Sequence, residues 1–314
     1  MDKSSKIYVA GHRGLAGSAI RRALEKEGYS KLILKSHGEL DLEDQGAVLD
    51  FFKTTKPEYV FMAAAKVGGI HANSSYRADF ILINLKIQTN VLDAALKTCV
   101  KRVMFLGSSC IYPKECPQPM KEEHLLTGEL EQTNEPYAIA KIAGLKTVEA
   151  INRQHGAKWI SVMPTNLYGP NDNFHPENSH VLPALIRRFH EAKTSGAQEV
   201  VIWGTGEPKR EFLHVDDMAC ACLYLMGLEN ETGMFNIGTG EEISIGELAR
   251  LIGDIVGYEG DIKFDNSKPD GTPRKLLDVA RLSSKGWNAT ISLRDGIEST
   301  CKWFARHQND FREK

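Results

Sequence analysis

Lys6-Ile-Tyr-Val-Ala-Gly11-His-Arg-Gly14-Leu-Ala-Gly17, running on into Ser18-Ala-Ile-Arg-Arg-Ala-Leu-Glu-Lys-Glu27, decides the fold. A short apolar run ends in Gly11, three glycines recur at every third position, and a segment with helical spacing (Ile20, Ala23, Leu24) follows. Physically this is a strand, a tight turn and a helix. Gly11 turns the chain, Gly14 lets the backbone come close to a pyrophosphate, and Gly17 lets the helix pack against the strand. The free N–H groups and the positive dipole end of that helix favour an anion. A lone glycine pattern is an ordinary turn. Placed after the first strand and before a helix, it reads as a dinucleotide-binding loop lined by Gly11, His12, Arg13, Gly14, Leu15, Ala16 and Gly17.

The alternation continues outward. Residues 31–35, 59–65, 103–107 and 159–164 are short apolar runs, and residues 44–54, 81–96 and 137–154 carry helical spacing. The unbroken apolar run at 59–65 is the pattern of a strand covered on both faces. Strands alternating with helices imply right-handed crossovers and a parallel sheet. After Gly169-Pro170 the character changes: residues 171–179 are polar and turn-rich, followed by a helix at 182–193, a strand at 199–203 and the Gly204-Thr205-Gly206 turn. The tail carries a helix at 245–256 and a Pro-, Asp- and Gly-rich loop at 267–274. The expected class is α/β, a doubly wound parallel sheet with a smaller α/β substrate-binding lobe.

Composition bounds the function. With 314 residues the chain has room for about two domains. Its 42% apolar and 25% charged residues exclude a mainly disordered chain. Lys and Arg number 39 against 41 Asp and Glu, so no basic excess supports nucleic-acid binding. The longest apolar run, residues 218–228, falls short of the roughly 18 residues of a membrane span, and the N-terminal residues lack a signal-peptide apolar core. Cys99, Cys110, Cys116, Cys220, Cys222 and Cys301 form no CxxC pair and no zinc spacing. We therefore expect a soluble cytoplasmic protein with no metal, no membrane and no nucleic acid as partner.

The identity of the dinucleotide is read from the end of the second strand, Leu32-Ile-Leu-Lys35-Ser-His37. A site for NAD usually places an acid there, on the ribose 2′-hydroxyl. Here the strand end has none, and Arg13 with Lys35 or His37 could meet a 2′-phosphate, which favours NADP(H). Glu39 and Asp41 come slightly later, and Asp41 could touch adenine.

Tyr137-Ala-Ile-Ala-Lys141 puts a phenol and an amine on one helix face. Alone, such a pair is usually just helix surface. As chemistry, the ammonium favours the phenolate, and the tyrosine can give a proton to a carbonyl oxygen as hydride reaches carbon. Leu106-Gly107-Ser108 stands about thirty residues upstream at the end of a buried strand, where α/β sheets hold their ligands. Strand-end Ser108, Tyr137 with Lys141, and the glycine loop together form a specific constellation. Two positions after Ser108 stands Cys110, a small buried hydrophobe or a thiolate able to take a proton α to a keto group. His180, in the segment after the turn-rich stretch, could act on the opposite face, since imidazole titrates near neutral pH.

The GxxGxxG spacing resembles the extended subclass of short-chain dehydrogenases/reductases. Gly107-Ser-Ser-Cys-Ile-Tyr-Pro113, Asn134–Gly144, Met163–Pro170, Asn173–His180, Arg210-Glu-Phe-Leu-His-Val-Asp-Asp217 and Lys268–Lys275 together resemble one family over nearly the full length, the GDP-L-fucose synthases, which are 3,5-epimerases and 4-reductases. The resemblance implies a Rossmann-type domain of residues 1–170 plus about 207–235 and a nucleotide-sugar lobe of about 171–206 plus 236–314. It implies NADPH held by the glycine loop, His37, Asp41, Leu106, Gly107, Ser108, Lys141, Pro164 to Leu167 and His180. Ser108, Cys110, Asn166, Arg188, Trp203, Arg210, Asp270 and Arg274 would bind the substrate, with Tyr137, Lys141, Ser108, Cys110 and His180 catalytic. It further implies a homodimer paired through Rossmann-side helices. Two other readings are a nucleotide-sugar epimerase on the same scaffold and a non-catalytic NADP(H) sensor. Cys110 with His180 argues against the first, and the intact Ser108, Tyr137 and Lys141 set against the second.

Overall fold

The computed structural model describes residues 1–176, 178–268 and 270–308, with all of their side chains except those of residues 70 and 71. The chain begins as the glycine pattern requires, with β1 (Ile7–Ala10), fully buried, and α1 (Leu15–Lys26). Then come β2 (Leu32–Ile33), α2 (Gln45–Thr55), β3 (Tyr59–Met62), α3 (Ile70–Ser75), α4 (Arg77–Lys97) and β4 (Arg102–Leu106). After a long loop follow α5 (Glu135–His155), β5 (Ile160–Pro164) and β6 (Asn166–Tyr168). The later elements are α6 (Val181–Ser195), β7 (Glu199–Trp203), β8 (Lys209–Arg210), β9 (Phe212–His214), α7 (Val215–Gly227) and β10 (Gly233–Ile237). The chain closes with β11 (Ile243–Ser244), α8 (Ile245–Val256), β12 (Asp261–Asp265), β13 (Arg274–Lys275), α9 (Ala280–Ser283) and α10 (Leu293–His307).

The main sheet has the order β10-β5-β4-β3-β1-β2 and is parallel throughout. The chain steps from β1 out to β2 and returns to the other edge of β1, so the strand order reverses there and opens a crevice at the carboxyl ends. One face is covered by α2, α4 and α5 through Phe52, Leu92 and Leu145, the other by α1 and α7 through Ile20, Leu24, Met218 and Leu225. A separate core joins α6, α8 and α10 around Phe189, Ile202, Leu248, Ile252 and Phe304. The expected α/β doubly wound parallel sheet is thus what the chain forms.

Some local expectations differ. The run at 31–35 yields only two strand residues, because the chain leaves the sheet after Ile33. Helix α1 starts at Leu15 rather than Ser18, since Gly14 already serves as its extended N-cap residue. Asp216 lies inside the first turn of α7 and pairs with Arg22 at 2.5 Å; the cap is His214, whose Nδ1 accepts from the Asp216 N–H. Helix α10 was not foreseen, although Ser292 caps it through the Asp295 N–H. The small sheet β11-β8-β13 was not foreseen either.

Candidate active site

The glycine loop explains its own composition. Gly11 has φ +80, open to glycine without strain, and a Cβ there would stand 2.7 Å from the Ala64 nitrogen. A Cβ on Gly17 would run into the Gly11 carbonyl oxygen, so the third glycine is what lets α1 lie against the turn. Gly14 is different: its φ is −82, and a Cβ would meet only the Gly11 oxygen, at an ordinary 3.6 Å. Nothing inside the chain requires glycine at this position, which leaves room for an external group to approach. The N–H groups of the first turn of an α-helix lack helical partners, so the start of α1 can offer donors to such a group. His12 lies buried with its Nδ1 unsatisfied, and burial, then Arg13 and Arg21, hold its pKa below the usual imidazole range. Arg13 is exposed, with no hydrogen bond or ion pair among the described residues. Glu39 is committed elsewhere: Ser36, by its hydroxyl and N–H, and Lys35 hold that carboxyl down to about 2. His37 and Asp41 face each other at 3.8 Å on the surface. The rim where a ribose 2′-substituent would lie therefore presents Arg13 and His37 rather than a free Glu39. These residues fit a dinucleotide with an anionic 2′ group.

Next to this groove, β4 ends at Leu106 and hands the chain through Gly107 to Ser108. A Cβ on Gly107 would lie 3.1 Å from the Val162 oxygen, so glycine keeps the strand ends in contact. The Ser108 hydroxyl accepts from the Cys110 N–H at 3.3 Å and opens a short 3-10 turn. Helix α5 comes close because of Gly144, where a Cβ would stand 2.8 Å from Gln88 Oε1 and strike the Phe105 ring. Gln88 Nε2 in turn donates to the Ala140 carbonyl at 2.6 Å, locking α4 to α5. This close packing brings Tyr137 and Lys141 to the end of β4. Lys141 is buried, its amine donating to the Leu106 carbonyl at 2.7 Å and lying 5.7 Å from the centre of the Tyr137 ring. Burial pushes the Lys141 pKa down to about 8. The expected lowering of the tyrosine by this ammonium is not what the geometry gives. Burial, followed by Cys110, pushes Tyr137 well above the usual phenol range, so the group stays a neutral proton donor.

Cys110 is 8% exposed, and burial raises its thiol; Lys275, the Ser108 hydroxyl and Lys141 pull it back down. His180 is the N-cap residue of α6. Burial, then Lys275, keeps its pKa below the usual imidazole range. Cys110 and His180 thus share one charged neighbour, Lys275.

In the second lobe, Trp203 is 68% exposed at the end of β7, with the Lys268 ammonium 5.6 Å from its ring centre. Arg188 donates to the Val201 carbonyl at 2.7 Å and Arg210 to the Lys209 carbonyl at 2.7 Å; both are half-buried, and burial works against their charge. A half-buried guanidinium with donors to spare suits an anion. Asp270 holds the turn before β8, accepting from the Thr205 N–H and hydroxyl at 2.9 and 2.7 Å. Arg274 turns outward to Glu242 at 2.6 Å. Asn166 donates its side-chain amide to the Glu211 carbonyl at 2.8 Å, and Thr165 N–H bonds the Ile237 carbonyl at 2.9 Å.

The sequence reading passed over two residues. Lys275 is next to Arg274 and faces the other way, which alternation along a strand would have indicated. Glu211 is fully buried, and its carboxylate accepts from the N–H groups of Thr239, Gly240 and Leu277 at 2.7 to 2.9 Å. It lies between β8 and β9, next to Arg210, and nothing local marked it.

Residues 7–238 match the NAD dependent epimerase/dehydratase family. The chain is 61% identical to GDP-L-fucose synthase 1 of Arabidopsis thaliana, over 98% of this chain and 95% of that protein. It is 56% identical to GDP-L-fucose synthase of Escherichia coli K12, over 98% of both. Among solved structures, a GDP-L-fucose synthetase from Naegleria fowleri bound to NADP superimposes with a TM-score of 0.90 at 29% identity, over 100% of this chain and 98% of that one. The glycine loop, the Ser108–Tyr137–Lys141 corner and these likenesses agree, and the chain belongs to the NAD dependent epimerase/dehydratase family and, within it, to the GDP-L-fucose synthases.

Proposed function

We propose that this protein converts GDP-4-keto-6-deoxy-D-mannose to GDP-L-fucose, by epimerisation at C3 and C5 and then reduction at C4. The observation that carries the reading is that Cys110 stands beside Ser108 and among the charges of Lys141 and Lys275, next to Tyr137, with His180 near that same Lys275, in a chain 61% identical to a GDP-L-fucose synthase. Gly11 to Gly17, Arg13, His37, Asp41, Leu106, Gly107, Lys141 and residues 164–167 would hold the cofactor. NADPH, when bound, supplies the hydride for C4.

This chain's own groups do the rest. Ser108 and Tyr137 hold the 4-keto oxygen, and the polarised carbonyl makes the C3 and C5 hydrogens acidic. Cys110 takes a proton from one face, and His180 returns one on the other. Tyr137 protonates the C4 oxygen during reduction, a role suited to a phenol that burial keeps neutral. Lys141 keeps the phenol in place and anchors the end of β4. In the lobe, Arg188 and Arg210 would grip the diphosphate, Trp203 would pack on the base or sugar, and Asp270 would fix the turn beneath it.

The two-lobe division, residues 1–170 plus about 207–235 against the remainder, is part of this reading, and the separate core around Phe189 and Leu248 supports it. So is a homodimer paired through α4 and α5. Leu82 on α4 and Ile139 on α5 expose large apolar surface, 55% and 41%, on helices that already pack on each other. We place the enzyme in the cytoplasm; among the described residues no helix is long and apolar enough to cross a membrane.

The test is to mix the protein, NADPH and GDP-4-keto-6-deoxy-D-mannose and identify the product by NMR. Stoichiometric NADPH oxidation with GDP-L-fucose formed is the expected result. An unepimerised 6-deoxy sugar would keep the reductase and remove the roles of Cys110 and His180.

A further inference from the structure

The connection between β3 and α3 is tied down by two buried asparagines. Asn84 of α4 grips its start: Oδ1 accepts from the Lys66 N–H at 2.9 Å, and Nδ2 donates to the carbonyls of Lys66 at 2.9 Å and Phe80 at 2.7 Å. Asn73 of α3 grips its end, donating from Nδ2 to the carbonyls of Gly68 and Gly69 at 2.7 and 3.0 Å. Gly69 then reaches the segment that leads into α6, its N–H donating to the Asn178 carbonyl at 3.3 Å. That carbonyl also accepts from Asn173 Nδ2 at 3.2 Å, and the Asn178 N–H donates to His175 Nδ1 at 3.2 Å. Two residues further on stands His180.

Glycine is what allows this joint to close. Gly69 has φ −66, which any residue adopts, yet a Cβ there would stand 3.2 Å from the Asn178 oxygen and 3.3 Å from the Ser179 oxygen. The constraint on this position therefore comes from the segment opposite, not from its own conformation. The same frame holds Tyr137. Its ring meets that of Phe80 edge to face at 6.4 Å, and Gln88 locks α4 to α5 through the Ala140 carbonyl. Phe80, Asn84 and Gln88 all belong to α4, so one helix holds the tyrosine and, through residues 66–69, the approach to His180.

We propose that residues 66–69 are a positioning strap for His180: Asn84 and Asn73 fix the strap to the helix frame that holds Tyr137, and Gly69 sets from that frame where the imidazole stands. This inference rests on the assigned function, since it names what aims that reaction's second proton-carrying group. The strap acts through His180 and supplies no proton itself. Delivery of a proton to carbon needs a short, aligned path, so a displacement well below that of one bond length matters.

The experiment separates inversion from hydride transfer. Deuterium entering C3 and C5 of GDP-4-keto-6-deoxy-D-mannose from heavy water, with NADP rather than NADPH present so that no reduction drains the keto sugar, reads the step assigned to His180. Initial rates of GDP-L-fucose oxidation by NADP, the reverse of the reduction, read the step assigned to Tyr137. Gly69→Ala presses a methyl on two backbone carbonyls, and the segment before His180 must give by a few tenths of an ångström. It should slow deuterium entry about tenfold while oxidation and NADPH binding keep their wild-type values. Asn73→Ala reaches the same end without added bulk, by freeing the Gly68 and Gly69 carbonyls, and should show the same split. In a His180→Gln background Gly69→Ala should cost nothing further, because the strap then has nothing to aim. Wild-type deuterium entry in Gly69→Ala, equal losses of deuterium entry and oxidation, or a full additional loss in the double variant overturns the proposal. A wild type that takes up no deuterium at either carbon removes the functional assignment and this inference with it, so the wild-type measurement tells the two failures apart.

Discussion

Gly14 and Gly17 carry opposite kinds of constraint, and alanine at each should separate them. A Cβ at position 17 would strike the Gly11 oxygen and stand 2.6 Å from the Gly11 carbonyl carbon and 2.9 Å from the His12 nitrogen. All three are backbone atoms that cannot rotate away, so the cost is that of overpacking, about 1–3 kcal/mol. At about 2–4 °C per kcal/mol, Gly17→Ala should melt several degrees lower without any ligand. A Cβ at position 14 meets only one atom, at 3.6 Å, from an ordinary backbone conformation. Gly14→Ala should melt within about 1 kcal/mol of the wild type. It should still lose at least about tenfold in NADPH affinity, roughly 1.4 kcal/mol, because the new methyl occupies the approach to the loop. Thermal melts with and without NADPH, joined to a fluorescence titration, read both quantities. A Gly14→Ala protein that binds NADPH like the wild type would refute the idea that an external group lies over this residue. A Gly17→Ala protein with unchanged melting would refute the packing argument.

Other outcomes follow from the same site. Cys110→Ser should slow deuterium exchange into the substrate by about 100-fold or more, since a serine hydroxyl is far harder to ionise, while leaving NADPH binding intact. Replacing Arg13 with Gln should weaken NADPH much more than NADH, and equal losses in a titration would sink the 2′-phosphate role. The Lys141 pKa falls from 10.5 to about 8, so burial of its charge opposes folding fully below pH 8 and is relieved as pH rises toward 10.5. That shift is worth about 3 kcal/mol, and the lost bond to Leu106 returns about 1–2. Lys141→Met should therefore melt higher at pH 7 while losing reduction. Asp172 has an unsatisfied, buried Oδ2, and burial raises its pKa to about 7. Its charge opposes folding increasingly as pH climbs from 3.8 through 7, so Asp172→Asn should raise the melting temperature at pH 8 and change it little near pH 4.

The sequence made most of the main sheet legible because its signals are local. A continuous apolar run such as 59–65 and a glycine loop such as Gly11–Gly17 announce themselves within a dozen residues. Ser108, Tyr137 and Lys141 were legible because strand end and helix face have fixed periods. What stayed hidden depends on tertiary partners. Lys275 stands in a stretch that reads as loop, and only pairing with β8 gives it a direction. Glu211 reads as an ordinary acid until three N–H groups converge on it. The state of Tyr137 was misjudged for a related reason: helical spacing places Lys141 nearby, but burial and the Leu106 carbonyl decide what the two groups do. Helix α10 is set by Ser292 and by packing of Phe304 into the second core, a weaker local pattern than those of the first half.

Glu211 has a consequence for how this chain could be recombined. Its carboxylate gathers N–H groups at 239, 240 and 277, while its own carbonyl receives Thr165 and Asn166. Five positions from three distant stretches of sequence thus meet at one side chain and its backbone. A chimera that swaps the sugar lobe for a relative's would cut this junction wherever the crossover falls between 166 and 277. The two halves of the enzyme are therefore not interchangeable modules: specificity could be transplanted only by carrying the loops at 239–240 and 277 together with the acid they grip.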